Sequence, residues 1–369
     1  MSGPNQLASD LLAVMPPGIG DLTFASPEWV DAAREVLQRA VEHHASGLDA
    51  LDTFTLCEVA HNPPAYLKCG NKLAWHARFE GATVTVASGE LAAADCDFKM
   101  QGDHAVISNV GRILYQGSDP ALVASAQQRL HKLSRWDIQG GLPEHAVLGG
   151  VLATLHDEMA HRTMPRFVFM TPEWVSTARY LLTSRANSEK YAADLRDVVY
   201  TFAEEFTHTP AYAFPDGEHG GFWVHCDHGR ITVGAGPMPE HYAPADMYTL
   251  GEYTPIVPVG RTVNASMNQV DLDEQEAYRK RAFAFDKEAG KAPVEQSSPS
   301  GRGEMPKALA RVFAPLHDEL SKRTAGELPA DFDDTIRSAW AAPVSFDRPE
   351  DYESWVRYDR VDIYGNPRT

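Results

Sequence analysis

The chain has 369 residues and a mass of 40.6 kDa, which exceeds one average domain and makes two domains the expectation. Its 33 Lys and Arg residues stand against 51 Asp and Glu residues, and the net charge of −18 argues against nucleic-acid binding and electrostatic membrane docking. Four cysteines without paired spacing, no signal peptide and no apolar run long enough to span a bilayer predict a cytoplasmic protein without membrane insertion.

The first predicted element is a helix that begins at Ser26-Pro27-Glu28. A hydroxyl caps free N–H groups there, proline suits the first helical position, and the acid meets the positive end of the helix dipole. Apolar residues then recur at helical spacing from Trp29 to Val41, which predicts one face packed against a core.

The next predicted elements are strands. One begins near Phe54, and residues 72–79 alternate between apolar and polar side chains, which is typical of a half-buried strand. Glu80-Gly81 turns the chain into a returning strand, and a further strand follows near Phe98. A later helical stretch begins at Asp119-Pro120, so the unit is predicted to be α+β, an antiparallel sheet covered by helices.

The whole pattern occurs twice in the chain. Matched segments appear in the same order with offsets that grow from 145 to 161 residues, which predicts two tandem copies of one unit. The matches are Ser26–Val30 with Thr171–Val175, Pro64-Ala65-Tyr66 with Pro210-Ala211-Tyr212, Trp75 with Trp223, Gly111-Arg112 with Gly260-Arg261, and Leu155–Glu158 with Leu316–Glu319.

The predicted domains are 1–164 and 165–330. The second copy contains a Ser/Pro/Gly-rich stretch, 290–303, that we expect to be a mobile loop, and a helix predicted from Asp271 to about Lys287. Residues 331–369 have no counterpart in the first copy, and their aromatic content predicts a tail that packs back onto a domain.

The order of these elements resembles the sterol carrier protein type two domain. The resemblance rests on the capped Pro-Glu-Trp helix, the Trp strand–Gly turn–Thr/Val strand hairpin, the pairs Ala94-Asp95 and Ala245-Asp246, and the Gly-Arg pairs, over roughly 20–135 and 167–285. Together with the duplication it predicts two tandem sterol-carrier-like domains, and the resemblance implies in each an apolar tunnel under a curved sheet that holds fatty acyl chains, sterols or similar ligands. No nucleotide, hydrolase, zinc-protease or redox motif accompanies it, and no cofactor is expected.

The predicted function is therefore binding and sequestration of a hydrophobic small molecule. The residues expected to line the sites are large and apolar and lie on the predicted strands: Phe54, Leu73, Trp75, Phe79, Phe98, Phe222 and Trp223. A purely structural role, with the acidic surface recruiting a protein partner or the chain forming a homo-oligomer, is a further possibility.

An enzyme is the alternative hypothesis. If Trp223 takes the place of Trp75, His225 and Asp227 replace apolar residues on the core face of the second copy, where they would form an acid–base pair for hydration, isomerisation or hydrolysis of a lipophilic substrate, with His317 as a further candidate. In the other register Phe222, Val224 and Cys226 face the core, and His225 and Asp227 face water.

Two further constellations have mainly structural interpretations. The histidines from His219 to His228 alternate between strand faces, so no metal site is predicted. In the repeated Leu-His-Asp-Glu segments, Glu158 with Arg162 and Glu319 with Arg323 have the spacing of ion pairs on a helix surface.

Overall fold

The computed structural model describes residues 14–15, 20–49, 51–61, 69–132, 137–167, 169–209, 220–253 and 290–324, with a few single positions between them. The chain divides into two compact units, and the boundary lies between Arg166 and Phe167. We call the unit that ends at Arg166 the first unit and the one that begins at Phe167 the second unit. The predicted tail 331–369, both Pro-Ala-Tyr tripeptides, Gly260-Arg261, His219 and most of the helix predicted from Asp271 lie outside the described residues.

The described part of the first unit contains both helices and strands. In chain order they are α1 (Pro27–His43), α2 (Ala45–Leu48), β1 (Phe54–His61), β2 (Lys72–Glu80), β3 (Thr83–Ser88), β4 (Phe98–Asp103), α3 (His104–Val110), α4 (Pro120–Lys132), β5 (Asp137–Gly140) and α5 (Ala146–Arg162).

The second unit follows the same plan. Its described elements are α6 (Pro172–Ala186), α7 (Glu189–Ala192), β6 (Val199–Thr207), β7 (Gly220–Asp227), β8 (Arg230–Ala235), β9 (Met247–Glu252), β10 (Val294–Ser297) and α8 (Lys307–Lys322).

Each unit contains a five-stranded mixed sheet. The strand order is β3-β2-β1-β4-β5 in the first unit and β8-β7-β6-β9-β10 in the second, so the two units share one topology, as the duplication predicts. The expectation of a purely antiparallel sheet is wrong, because β1 pairs in parallel with β4 and β6 in parallel with β9. After the hairpin the chain crosses to the far side of the first strand, and such a crossover brings the next strand in parallel.

The Ser/Pro/Gly-rich stretch 290–303 contains a strand, contrary to the expected loop. Strand β10 pairs with β9 at the sheet edge, and the following residues return to Asp246, whose buried carboxylate accepts hydrogen bonds from Ser300 Oγ and from the backbone N–H of Thr201. Arg302 Nε lies 2.6 Å from the same carboxylate. Edge pairing uses backbone groups, so a segment without an apolar pattern can supply it.

The repeated helix starts and helix ends contact each other within each unit. Ser26 Oγ accepts from the Trp29 backbone N–H and caps α1 as predicted. The Trp29 indole Nε1 then donates to Thr163 Oγ1 at 2.7 Å, just beyond α5. Trp174 makes the equivalent bond to Thr324 Oγ1 at 2.9 Å in the second unit. The Pro-Glu-Trp and Arg-Thr motifs therefore recur together because each Trp is bonded to its own Thr.

The predicted equivalence of Trp75 and Trp223 is wrong by one residue. Glu58 of β1 lies opposite Trp75, whereas Glu204, its counterpart in β6, lies opposite Phe222. Phe222 also occupies the position of Trp75 against the first helix: the Trp75 ring lies 5.2 Å from that of Trp29, and the Phe222 ring 5.5 Å from that of Trp174.

The Ala-Asp pairs are also displaced from the predicted alignment. Asp97, rather than Asp95, matches Asp246, because each accepts a hydrogen bond from a threonine N–H on the central strand, Thr55 in the first unit and Thr201 in the second. The shared feature of the two units is thus a carboxylate that ties the start of the fourth strand to the start of the first.

Candidate functional site

The first unit encloses a cavity of about 440 Å³ between its sheet and the helices that cover it. Ile138 and Leu142 belong to its lining and are half exposed, which marks the open side. Most of the lining is apolar, and the polar side chains among it are those of Glu58, Tyr115, Gln127 and His156. The apolar lining residues include Phe24, Trp29, Leu56, Trp75, Phe98, Met100, Val110, Leu152, Ala153, Leu155 and Met159.

Glu58 is the one acidic side chain of this lining, and strand geometry explains its position. Phe54, Leu56, Glu58 and Ala60 share the core face of β1, since successive strand residues point to opposite faces. The carboxyl group is surrounded by protein and meets the cavity on one side. Burial raises the pKa of Glu58 to about 7, and a hydrogen bond of 2.8 Å from Trp75 Nε1 to Oε2 lowers it in part.

His156 and Tyr115 form the second polar part of the wall. Their rings meet edge to face with centroids 5.1 Å apart, and Gln127 Nε2 donates to Tyr115 Oη at 3.2 Å. Burial lowers the pKa of His156 to about 4, and the nearby Asp157 carboxylate opposes this shift, so the ring is neutral at pH 7. Its buried Nδ1 has no hydrogen-bond partner among the described residues.

Asp157 holds the Tyr115 segment beside His156. Its two carboxylate oxygens accept from the backbone N–H groups of Tyr115 at 2.8 Å and Gln116 at 3.1 Å. The repeated Leu-His-Asp-Glu motif thus has a positioning role in the first unit. The predicted ion pairs are also present, between Glu158 and Arg162 at 3.6 Å and, in the second unit, between Glu319 and Arg323 at 2.8 Å.

The predicted ligand-lining residues of the first unit divide into two groups. Trp75 and Phe98 line the cavity. Phe54 and Phe79 are buried in the core behind it with ring centroids 6.3 Å apart, and Leu73 is partly buried against the same core. The side chains of β2 that were predicted to face the core do so, but only some of them reach the cavity.

In the second unit the two predicted aromatic residues lie on opposite faces of β7. Phe222 is buried against Trp174 and Phe202, whereas Trp223 packs on Tyr242 at 5.0 Å on the other face. A ligand-binding role for this pair stays a prediction.

His225 and Asp227 share the Trp223 face, so the register that would bring them to the core is wrong. His225 Nδ1 lies 2.9 Å from Thr201 Oγ1, its ring is 4.6 Å from that of Tyr242, and burial lowers its pKa. Asp227 is exposed, with Oδ1 3.8 Å from His228 Nε2. His317, the third candidate, lies on α8 with Nδ1 3.6 Å from Asp318 Oδ1. The structure does not bring His225 and Asp227 into a buried pair.

Sequence reasoning missed the two core-face glutamates. Glu204 occupies in β6 the position that Glu58 occupies in β1, and burial raises its pKa, like that of Glu58, to about 7. The available signal was an acid inside a mainly apolar strand pattern, present in both copies at the same offset as the Pro-Ala-Tyr tripeptides, with a second acid, Glu205, beside it in the second copy. A carboxyl group on a buried face is costly, so its presence in both units suggests a role beyond packing.

Among the described residues, no group of three or more His, Cys, Asp or Glu side chains is arranged to hold a metal ion, and no helix combines the length and apolar character needed to cross a membrane. The four cysteines are free thiols. Comparison with protein-family models, curated proteins and solved structures finds no match to this chain.

Proposed function

We propose that the first unit binds a largely apolar small molecule in its cavity. The observation that carries the proposal is the cavity itself: about 440 Å³, lined mainly by aliphatic and aromatic side chains and carrying a few polar groups. Small-molecule sites have this composition and volumes of roughly 300–1,000 Å³, because apolar walls supply affinity and a few polar groups fix orientation.

The driving force is transfer of apolar ligand surface out of water. At about 25 cal/mol per Å², a ligand that buries about 200 Å² of apolar surface gains roughly 5 kcal/mol before the cost of immobilisation. The resemblance to sterol carrier domains supports the same function, since it implies a tunnel between sheet and helices, and the shared topology extends the proposal to the second unit.

Acid–base catalysis on a lipophilic substrate is the second candidate. It is favoured by Glu58, a carboxyl group whose raised pKa of about 7 suits proton exchange at neutral pH and which faces an apolar cavity. Mass spectrometry of a lipid extract before and after incubation with the protein tests this candidate: an extract whose components are chemically unchanged counts against catalysis.

Binding is tested with two glycines on one helix. Gly149 lines the cavity and its neighbour Gly150 is not part of the lining, and at both positions an added Cβ meets no atom within 4 Å. Gly149→Phe should obstruct the cavity, whereas Gly150→Phe is the matched control, and both changes favour the helix slightly. Isothermal titration with decanol should show binding to the wild type and to Gly150→Phe and at least tenfold weaker binding to Gly149→Phe. No binding by the wild type, or equal binding by both variants, would contradict the proposal.

A further inference from the structure

We propose that the cavity of the first unit selects a lipophilic amine, whose ammonium group is held by the Glu58 carboxylate and the aromatic rings beside it. The inference rests on the proposed function and specifies its ligand. It concerns the polar group of the ligand, which the apolar side chains of the cavity do not specify.

The charge on the cavity wall favours a cation. Glu58 is the only charged side chain among the lining residues, none of which is Lys or Arg. Trp75 Nε1 is its one hydrogen-bond donor among the described residues, and it binds Oε2. A carboxylate so placed keeps acceptor capacity and has no counter-charge among the side chains that line the cavity. A bound ammonium would supply both the missing donor and the missing charge.

The neutral polar groups of the wall match an ammonium as well. His156 is neutral at pH 7, because burial lowers its pKa to about 4, and a neutral imidazole offers one acceptor nitrogen. Tyr115 Oη, already a hydrogen-bond acceptor from Gln127, has a second lone pair. An ammonium group has three donors, and Glu58, Tyr115 and His156, which all belong to the cavity lining, each carry a group that can accept a hydrogen bond.

Aromatic rings form part of the same cavity lining. Trp29 and Trp75 line the cavity with ring centroids 5.2 Å apart, and Phe24 lies 4.7 Å from Trp29. Rings of this kind attract cations through their quadrupoles, most strongly Trp, and the attraction increases where water is excluded.

An anionic ligand is disfavoured by the same features. A fatty-acid carboxylate would face Glu58 with no cation in the lining to receive it, and the net charge of −18 repels anions and attracts cations at a distance. The site therefore differs in polarity from one built to hold a free fatty acid.

The test compares three ligands, decylamine, decanol and decanoate. They have the same number of carbon atoms and differ in the polar group at the end. Because Glu204 is the equivalent carboxyl of the second unit, all titrations use the Glu204→Gln protein. At pH 8 decylamine should bind at least tenfold more tightly than decanol, and decanoate most weakly. From pH 6 to pH 8 the affinity for decylamine should rise about tenfold as Glu58 ionises near pH 7, with decanol unchanged.

Variants identify the group responsible. Adding Glu58→Gln, which keeps an acceptor for Trp75, should reduce decylamine affinity to within about threefold of that for decanol and remove its pH dependence. Glu35→Gln, an exposed position on α1, is the control and should keep the preference.

Equal binding of decanol and decylamine, tightest binding of decanoate, or a preference that survives Glu58→Gln would each overturn the inference. In these cases measurable binding of decanol leaves the proposed function standing. If none of the three ligands binds, the proposed function fails together with the inference.

Discussion

Glu58→Gln should make the protein more stable at neutral and alkaline pH. Burial raises the pKa of the folded carboxyl from its ordinary 4.5 to about 7, so between these values the folded protein holds a proton that the unfolded chain has released. The free energy of unfolding therefore falls as pH rises through this window. Below pH 4.5 the carboxyl is protonated in both states, so it causes no loss of stability there. Glutamine keeps the shape and the acceptor for Trp75 and has no charge to bury.

The magnitude follows from the two pKa values. A shift from 4.5 to about 7 corresponds to about 3 kcal/mol, and water that reaches the carboxyl through the cavity reduces this figure. Most of the change lies between pH 5 and pH 7, so the stability difference between variant and wild type should widen by up to about 2.5 kcal/mol from pH 5 to pH 8.

The assay is urea unfolding followed by tryptophan fluorescence at pH 5, 6, 7 and 8 without ligand. His156 and Glu204 also titrate with altered pKa values, but both remain in the two proteins, so the difference between them isolates Glu58. Glu35→Gln, at an exposed position on α1, is the control for the loss of one negative charge. A difference between Glu58→Gln and wild type that is constant or that narrows with rising pH would refute the reasoning.

Three further substitutions test the contacts around the cavity. Thr163→Val removes the acceptor for the Trp29 indole and should lower the free energy of unfolding by about 1–3 kcal/mol; an unchanged urea midpoint contradicts this. Trp75→Phe removes the donor to Glu58 and should raise the pKa of that carboxyl further, which carboxyl NMR titration would show; a lower pKa would argue against the assigned hydrogen bond. Asp157→Ala should speed hydrogen exchange at the two backbone N–H groups that the carboxylate accepts, and unchanged exchange there would count against its positioning role.

The sequence alone was sufficient for the features that depend on local pattern. The duplication, the capped starts of α1 and α6 and the core face of β2 were all predicted, because caps and periodicity are properties of neighbouring residues. The α+β class follows from the same patterns. The parallel pairing of β1 with β4 does not, since it depends on where the chain crosses the sheet.

The register of β7 shows where local pattern was insufficient. Phe222 and Trp223 are adjacent and both large and aromatic, so either could face the core, and a shift of one residue exchanges the two faces of a strand. Packing of Phe222 against Trp174 decides the choice and places His225 beside Thr201 on the other face. The catalytic hypothesis for His225 and Asp227 depended on the register that the structure contradicts.

The cavity and its polar wall were decided by tertiary structure alone. Glu58, Tyr115 and His156 lie on β1, on the segment after α3 and on α5, and no spacing in the sequence relates them. Alternation in β1 shows that Glu58 shares a face with apolar residues, but whether that face meets packed side chains or an open space depends on the helices that cover the sheet. Local periodicity determines the direction of a side chain, whereas burial, pKa and contacts depend on the packing of elements distant in sequence.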